Sequence, residues 1–290
     1  MSVLASYLAL TKPRLLPLVI FSGLPALVMA AGGWPAPGLL LAVLGGIALA
    51  AGAANTLNCY VERDFDARMS RTASRPLPAG RLRPDQALVF GLVLCVLGPG
   101  LLLATSGPAA AGVAVAGILF YVFVYTIWLK PRSPIAVVIG GASGAVAPLI
   151  ADAAVGGGIG AAGWILFAII FVWQPPHFWA ITLYRRGEYE QAGFPIMVSR
   201  VGEDVTRRRI LGWIALLVPV SLLPPLFGLS GALYTLAALG LGVWFLRSGL
   251  ALLREKNDAA ARGVFRVSLG YLASLFAAMI IDLAVGGGLA

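Results

Sequence analysis

Nine runs of about twenty mostly apolar residues succeed one another along the chain, at about 14–32, 38–60, 86–105, 109–129, 134–152, 160–183, 210–228, 231–248 and 264–285. About twenty such residues in a helix cross the hydrocarbon core of a bilayer. Inside that core every backbone polar group must be paired within the segment, which leaves helices as the solution for runs of this length. The spacing therefore predicts an all-α integral membrane protein with nine transmembrane helices in a single membrane domain. Composition agrees: 60% of residues are hydrophobic and 11% charged, against roughly a quarter charged in soluble domains.

The charges are segregated. All 21 Lys and Arg residues fall at the start of the first run or in and flanking alternate connections, between runs two and three, four and five, six and seven, and eight and nine. The remaining connections, such as Thr105–Pro108 and Leu229–Gly231, hold none. Basic residues collect in cytoplasmic loops, so the expected orientation is N-terminus in, C-terminus out, in a bacterial or archaeal cytoplasmic membrane. The formal charge of +9 is a topology signal, and no nucleic-acid-binding motif accompanies it. The N-terminal stretch lacks the order of a signal peptide, because its basic residues follow the first apolar patch. Cys59 and Cys95 form no C-x-x-C or Cys/His cluster, which argues against structural zinc and a disulfide framework.

Polar chemistry concentrates in two loops, about 62–85 and 184–209. The first follows N-T-L-N-C-Y-V-E-R-D-F-D-A-R-M-S-R-T-A-S-R-P-L-P, residues 55–78. If the second helix continues past Tyr60, then Asn58, Glu62 and Asp66 lie at i, i+4 and i+8 on one stripe, with Asp64 pointing elsewhere. Oxygen ligands on one stripe suit a hard cation, and magnesium is typically held by one or two carboxylates plus substrate phosphate. Arg71 and Arg75 follow and suit the phosphates. The plain alternative is a solvated helix end with local ion pairs such as Asp64 with Arg68.

This stretch resembles the aspartate-rich motif N-x-x-x-D-x-x-x-D of the UbiA superfamily of intramembrane prenyltransferases. Within the superfamily it is similar to the protohaem IX farnesyltransferases, with Glu62 where that family usually has Asp, a carboxylate displaced by about 1.5 Å. A second stretch, W-Q-P-P-H-F-W-A-I-T-L-Y-R-R-G-E-Y-E-Q-A-G-F-P-I-M, ends the sixth run. Pro175 and Pro176 are expected to kink or interrupt the helix there. His177, the single histidine, reads either as an interhelical hydrogen bond or as a haem contact. The resemblance places Glu188 in the second half of the metal–diphosphate site, Tyr184 where relatives of other specificity carry Asp, and His177 at haem. Glu190 reads as solvated. A third stretch, Y-T-I-W-L-K-P-R-S-P-I-A-V-V-I-G-G-A-S-G-A, resembles the family in offering Lys130, with Arg132 in place of an arginine one position earlier, as diphosphate contacts. Gly140 and Gly144 form a G-x-x-x-G, whose plain role is tight packing.

The resemblance implies a UbiA-like fold around a central cavity. It implies Mg²⁺-dependent transfer of a farnesyl group from farnesyl diphosphate to a vinyl group of haem b, with Glu62, Asp66 and Glu188 as the central carboxylates and Asn58 beside them. A haem A synthase or oxidase-assembly partner is implied by the family alone. Two other readings stay open: prenyl transfer to an aromatic acid or quinone precursor, and a polytopic transporter. Transporters place ionisable residues near mid-membrane; here only Asp152 and Asp282 lie away from the charged end.

Overall fold

The computed structural model describes residues 2–285. It is helical, with a long connection at 67–83 between the third and fourth helices. The helices are α1 (Val3–Leu10), α2 (Leu16–Ala30), α3 (Pro37–Asp66), α4 (Pro84–Ser106), α5 (Pro108–Leu119), α6 (Ala136–Gly144), α7 (Val146–Gly156) and α8 (Ala161–Tyr184). They continue as α9 (Arg186–Gln191), α10 (Met197–Val201), α11 (Glu203–Val220), α12 (Leu223–Leu226), α13 (Ala232–Glu255) and α14 (Asp258–Val285). Among the described residues, eight helical segments are long and apolar enough to cross a membrane. The first expected span is the exception: α2 holds 15 residues, about 22 Å at 1.5 Å per residue. The chain is a multi-pass integral membrane protein.

Proline opens α3, α4 and α5 at Pro37, Pro84 and Pro108, where its missing N–H costs no helix hydrogen bond. The α4–α5 turn is a single residue, Gly107, with φ 86°, a left-handed conformation that favours glycine. α3 packs along α4, α13 along α14, and α2 along α7, while α8 touches both α11 and α14. Where α3 and α4 cross, a Cβ on Gly98 would lie 2.8 Å from the backbone nitrogen of Ala50. Only glycine lets these two backbones approach so closely.

Two local features differ from the sequence reading. Pro175 and Pro176 do not interrupt their span, since α8 is helical from Ala161 to Tyr184. The break lies in the fifth span, at Ala145 between α6 and α7. Packing on both sides holds α8, whose prolines are buried. Secondly, α5 widens into a ten-residue π-helix, Phe120–Leu129. The Gly140–Gly144 pair packs side chains rather than backbones: a Cβ on Gly140 would collide with the Tyr125 ring, and one on Gly144 would meet Gln174 at 2.8 Å.

The two acids remote from the charged end are helix caps. Asp152 Oδ2 accepts from the backbone N–H groups of Gly160 at 2.6 Å and Gly163 at 3.0 Å, at the start of α8. Asp282 does the same for α13, accepting from the N–H of Gly231 and, at 3.1 Å, of Tyr234. Both acids are buried, and each satisfies two donors that the helix start leaves without partners. We expect Asp282→Ala to destabilise the protein by about 1–2 kcal/mol and Asp282→Asn to cost less, because the amide retains one acceptor. Thermal unfolding in detergent, followed by circular dichroism, checks that order.

Candidate functional site

Helix α3 does continue through Asp66, and its polar stripe turns inward. Asn58, Glu62 and Asp66 are 1%, 5% and 4% exposed, while the Asp64 side chain is 76% exposed. Buried carboxylates are tolerated only with compensating charge, and each finds it. Lys130 donates to Glu62 Oε1. Arg75 donates to Asp66 Oδ2 at 2.7 Å. Asn58 accepts from Lys12 Nζ at 2.7 Å and donates to Thr126 Oγ1 at 3.1 Å.

The π-helix builds half of this arrangement. It runs in the same direction as α3, so Thr126 meets Asn58 and, four residues on, Lys130 meets Glu62, four residues further along α3. The Lys130 N–H closes the last wide turn on Tyr125 O at 2.8 Å. Such turns recur at functional sites. Burial works against the charge on Lys130, but Glu62 together with Tyr125 outweighs it and raises the ammonium pKa. Arg75 follows the same pattern, with Asp66 outweighing burial. Lys12 differs. Burial lowers its pKa, Cys59 opposing this and Arg75 adding to it, because its hydrogen-bond partner is a neutral amide. Its ammonium is thus the least compensated cation of the three.

Glu188 lies on α9, across from the loop after α3. Its Oε1 accepts from Arg185 at 2.8 Å. Its Oε2 is buried without a hydrogen-bond donor, 3.8 Å from Arg71 Nε. Arg71 donates to the Tyr189 hydroxyl at 2.7 Å and lies 4.7 Å over that ring, so one guanidinium ties the two acidic segments together. Phe194, in the G-F-P-I-M segment, packs on Phe65 at 4.7 Å and lies 4.8 Å beneath the Lys130 ammonium.

Two residues singled out from the sequence lie apart. Arg132 is exposed at the helix end and donates to the carbonyls of Ile127 and Trp128, each at 2.9 Å. His177 uses Nδ1 in a 2.7 Å hydrogen bond with Ser268 Oγ, and its ring lies between Trp173 and Phe265. That is the interhelical hydrogen bond. Glu190 is at the surface, accepting from Ser199. Sequence reasoning missed Lys12, Thr126 and Tyr189. Lys12 carried one signal, its place in K-P-R just ahead of an apolar run. Its left-handed backbone, φ 56°, is uncommon for a residue with a side chain.

Beneath the polar stripe the same face of α3 lines an apolar cavity of ≈ 200 Å³, bounded by Ile47, Ala51, Ala54, Ile118, Tyr121 and Ala147 among others. The slot is built of small side chains on α3 and ends near Asn55, one turn below the charges. An elongated apolar group with an anionic head fits this layout.

The model of the UbiA prenyltransferase family matches residues 19–277. The chain belongs to the UbiA prenyltransferase family. Curated relatives named protoheme IX farnesyltransferase include that of Thiobacillus denitrificans, 45% identical over 95% of this chain and 93% of that protein. Those of Acidiphilium cryptum and Gloeobacter violaceus are 42% and 43% identical, over 95% and 97% of this chain and 90% and 92% of theirs. Solved structures share the UbiA fold. A structure of digeranylgeranylglyceryl phosphate synthase superposes with a TM-score of 0.81 at 21% identity, over 98% of this chain and 99% of that one. A UbiA homologue from Archaeoglobus fulgidus, bound to GPP and Mg²⁺, superposes with a TM-score of 0.62 at 15% identity, over 95% of this chain and 99% of that one.

Among the described residues no three His, Cys, Asp or Glu side chains gather closely enough to cage a metal. The donor set of this UbiA-family chain nevertheless fits magnesium: hard oxygens, two buried carboxylates one turn apart, and an orphaned Glu188 oxygen. A site short of protein ligands is what magnesium uses when phosphate supplies the rest. We expect Lys130→Met to lower stability by roughly 1–3 kcal/mol, since it leaves Glu62 buried without its cation. Adding Glu62→Gln should recover more than half of that loss. A double-mutant cycle on thermal midpoints measures the coupling, and simple additivity would remove the pair from the account.

Proposed function

We propose that the chain is a protohaem IX farnesyltransferase, joining the farnesyl group of farnesyl diphosphate to a vinyl group of haem b. The observation that carries this reading is the buried Asn58–Glu62–Asp66 stripe, met by Lys12, Lys130 and Arg75, above an apolar slot. The 42–45% identity to relatives of that name supports the choice of acceptor.

The slot takes the prenyl tail and the polar cluster takes the diphosphate. Lys12, Arg75 and Lys130 supply positive charge, and Arg71 reaches in from the loop. Asn58, Glu62, Asp66 and Glu188 would hold magnesium, which when bound offsets charge on the departing diphosphate. In the structure Lys130 and Arg75 are engaged by Glu62 and Asp66. With magnesium held by the carboxylates, Lys130 and Arg75 would be free to turn their charge to the diphosphate oxygens. Heterolysis of the C1–O bond releases diphosphate and leaves an allylic cation. The vinyl carbon attacks that cation, forming the new C–C bond. Water adds to the carbocation left on the haem side chain and loses a proton, giving a hydroxyethylfarnesyl substituent. Walls of Ile, Ala and Tyr keep bulk water from the allylic cation.

In this reading the charged end faces the cytoplasm, as the basic loops require, and the membrane is a bacterial or archaeal cytoplasmic one. Incubation of purified protein with haem b, farnesyl diphosphate and magnesium should yield a haem product heavier by one farnesyl group and one hydroxyl, and a chelator should prevent it. Asp66→Ala should reduce kcat/KM by about 10²–10³-fold in protein that still inserts. Normal turnover by that variant would exclude Asp66 from the site. Diphosphate release only when an aromatic acid is offered would keep the site and change the acceptor.

A further inference from the structure

A second, more open cavity of ≈ 570 Å³ lies where the end of α8 meets the first turns of α14, lined by Tyr184, Arg185, Glu188, Arg262, Phe265 and Arg266. Three guanidiniums face one carboxylate, and that carboxylate is already divided between Arg185 and Arg71. Arg262 reaches Asp258 only at 3.9 Å and lies 5.3 Å over the Tyr184 ring. Arg266 forms no ion pair with an acid among the described residues, its Nε donating to Arg262 O at 3.4 Å. Arg262 and Arg266 are one helical turn apart, so their charges repel unless an anion sits between them.

The wall beside these charges is aromatic. Phe265 lies 6.4 Å from Tyr184 and 4.9 Å from the His177 ring, measured between ring centres. His177 and Tyr184 are seven residues apart on α8, so they share a face about 10 Å apart in depth. The cavity therefore sets arginine forks beside the rings of Tyr184 and Phe265, with His177 behind Phe265. Through Glu188 and Arg71 it adjoins the donor cluster.

We propose that this cavity anchors the two propionate carboxylates of the haem acceptor, with Arg262 and Arg266 gripping them. The inference rests on the farnesyltransferase reading given above. Guanidinium forks match carboxylates, and ionised carboxylates cannot follow the macrocycle into hydrocarbon without heavy cost. Haem carries its vinyl groups on the half of the ring away from the propionates. Holding the propionates at the polar end turns the vinyl edge inward, toward the prenyl slot.

The test compares haem b with its dimethyl ester, in which both carboxylates are masked, as acceptors for the full-length protein with farnesyl diphosphate and magnesium. The wild type should show a KM for the ester at least tenfold above that for haem b. The variant Arg262→Gln with Arg266→Gln should raise the haem b KM at least tenfold, keep the farnesyl diphosphate KM within about twofold, and no longer distinguish haem from ester. Lysine at both positions should recover part of the loss. Equal KM values for haem b and ester in the wild type overturn the proposal without any variant, so it stays testable if the glutamine variant fails to insert. A variant with unchanged haem KM that loses a dependence on anionic phospholipid, seen in phosphatidylcholine nanodiscs with and without phosphatidylglycerol, assigns the cavity to a lipid headgroup and overturns it too. Folded wild type that converts neither acceptor removes the farnesyltransferase reading itself, and the haem anchor falls with it.

Discussion

Two carboxylates buried on one face of α3 are the constraint around which the charged end of this protein is arranged. Glu62 and Asp66 are nearly inaccessible, and a buried, unpaired carboxylate would cost far more than a hydrogen bond returns. Each therefore requires a cation from elsewhere in the chain. Glu62 takes Lys130 from the end of the π-helix, and Asp66 takes Arg75 from the following loop. A third cation, Lys12, comes from the turn ahead of α2 and settles on Asn58. Three separate segments are thereby fastened to α3 by charge. In the proposed function the same cations receive the diphosphate. On that proposal, stability of the fold and affinity for the donor draw on one set of side chains.

The surrounding helices serve that arrangement. The wide turns of Phe120–Leu129 keep Thr126 and Lys130 in step with Asn58 and Glu62. Tyr125, on the same turns, packs into space that Gly140 leaves open. Small residues along α3 hollow out the slot below. At the far end, Asp152 and Asp282 repeat one capping device for α8 and α13.

Much of this was legible in the sequence, for identifiable reasons. Hydropathy located the spans because lipid contact demands apolar side chains. It misjudged their ends because it measures lipid contact and not helix. α3 runs to Asp66, α11 begins at Glu203, and α13 and α14 meet across a short turn at Lys256 and Asn257, all through charged residues beyond the apolar runs. The Asn58, Glu62, Asp66 stripe was legible because helical spacing alone sets which residues share a face. What spacing could not reveal is which distant segment answers each charge. Lys12 read as a topology signal and is found donating to Asn58 in the buried stripe, whereas Arg132 read as a phosphate contact and lies against backbone carbonyls. The prolines at 175 and 176 promised a break, but packing on α11 and α14 holds α8 helical, and the break falls at Ala145.

If Glu62 and Asp66 hold magnesium as proposed, they should give up Lys130 and Arg75 only with metal and diphosphate both present. Calorimetric titration of the purified protein with magnesium, with and without an unreactive farnesyl diphosphate analogue, tests it most directly. Expected are weak magnesium binding alone, analogue binding that is weak without magnesium, and at least tenfold tightening of each by the other, a coupling of about 1.4 kcal/mol or more. Independent binding of the two, each at full affinity without its partner, would contradict it.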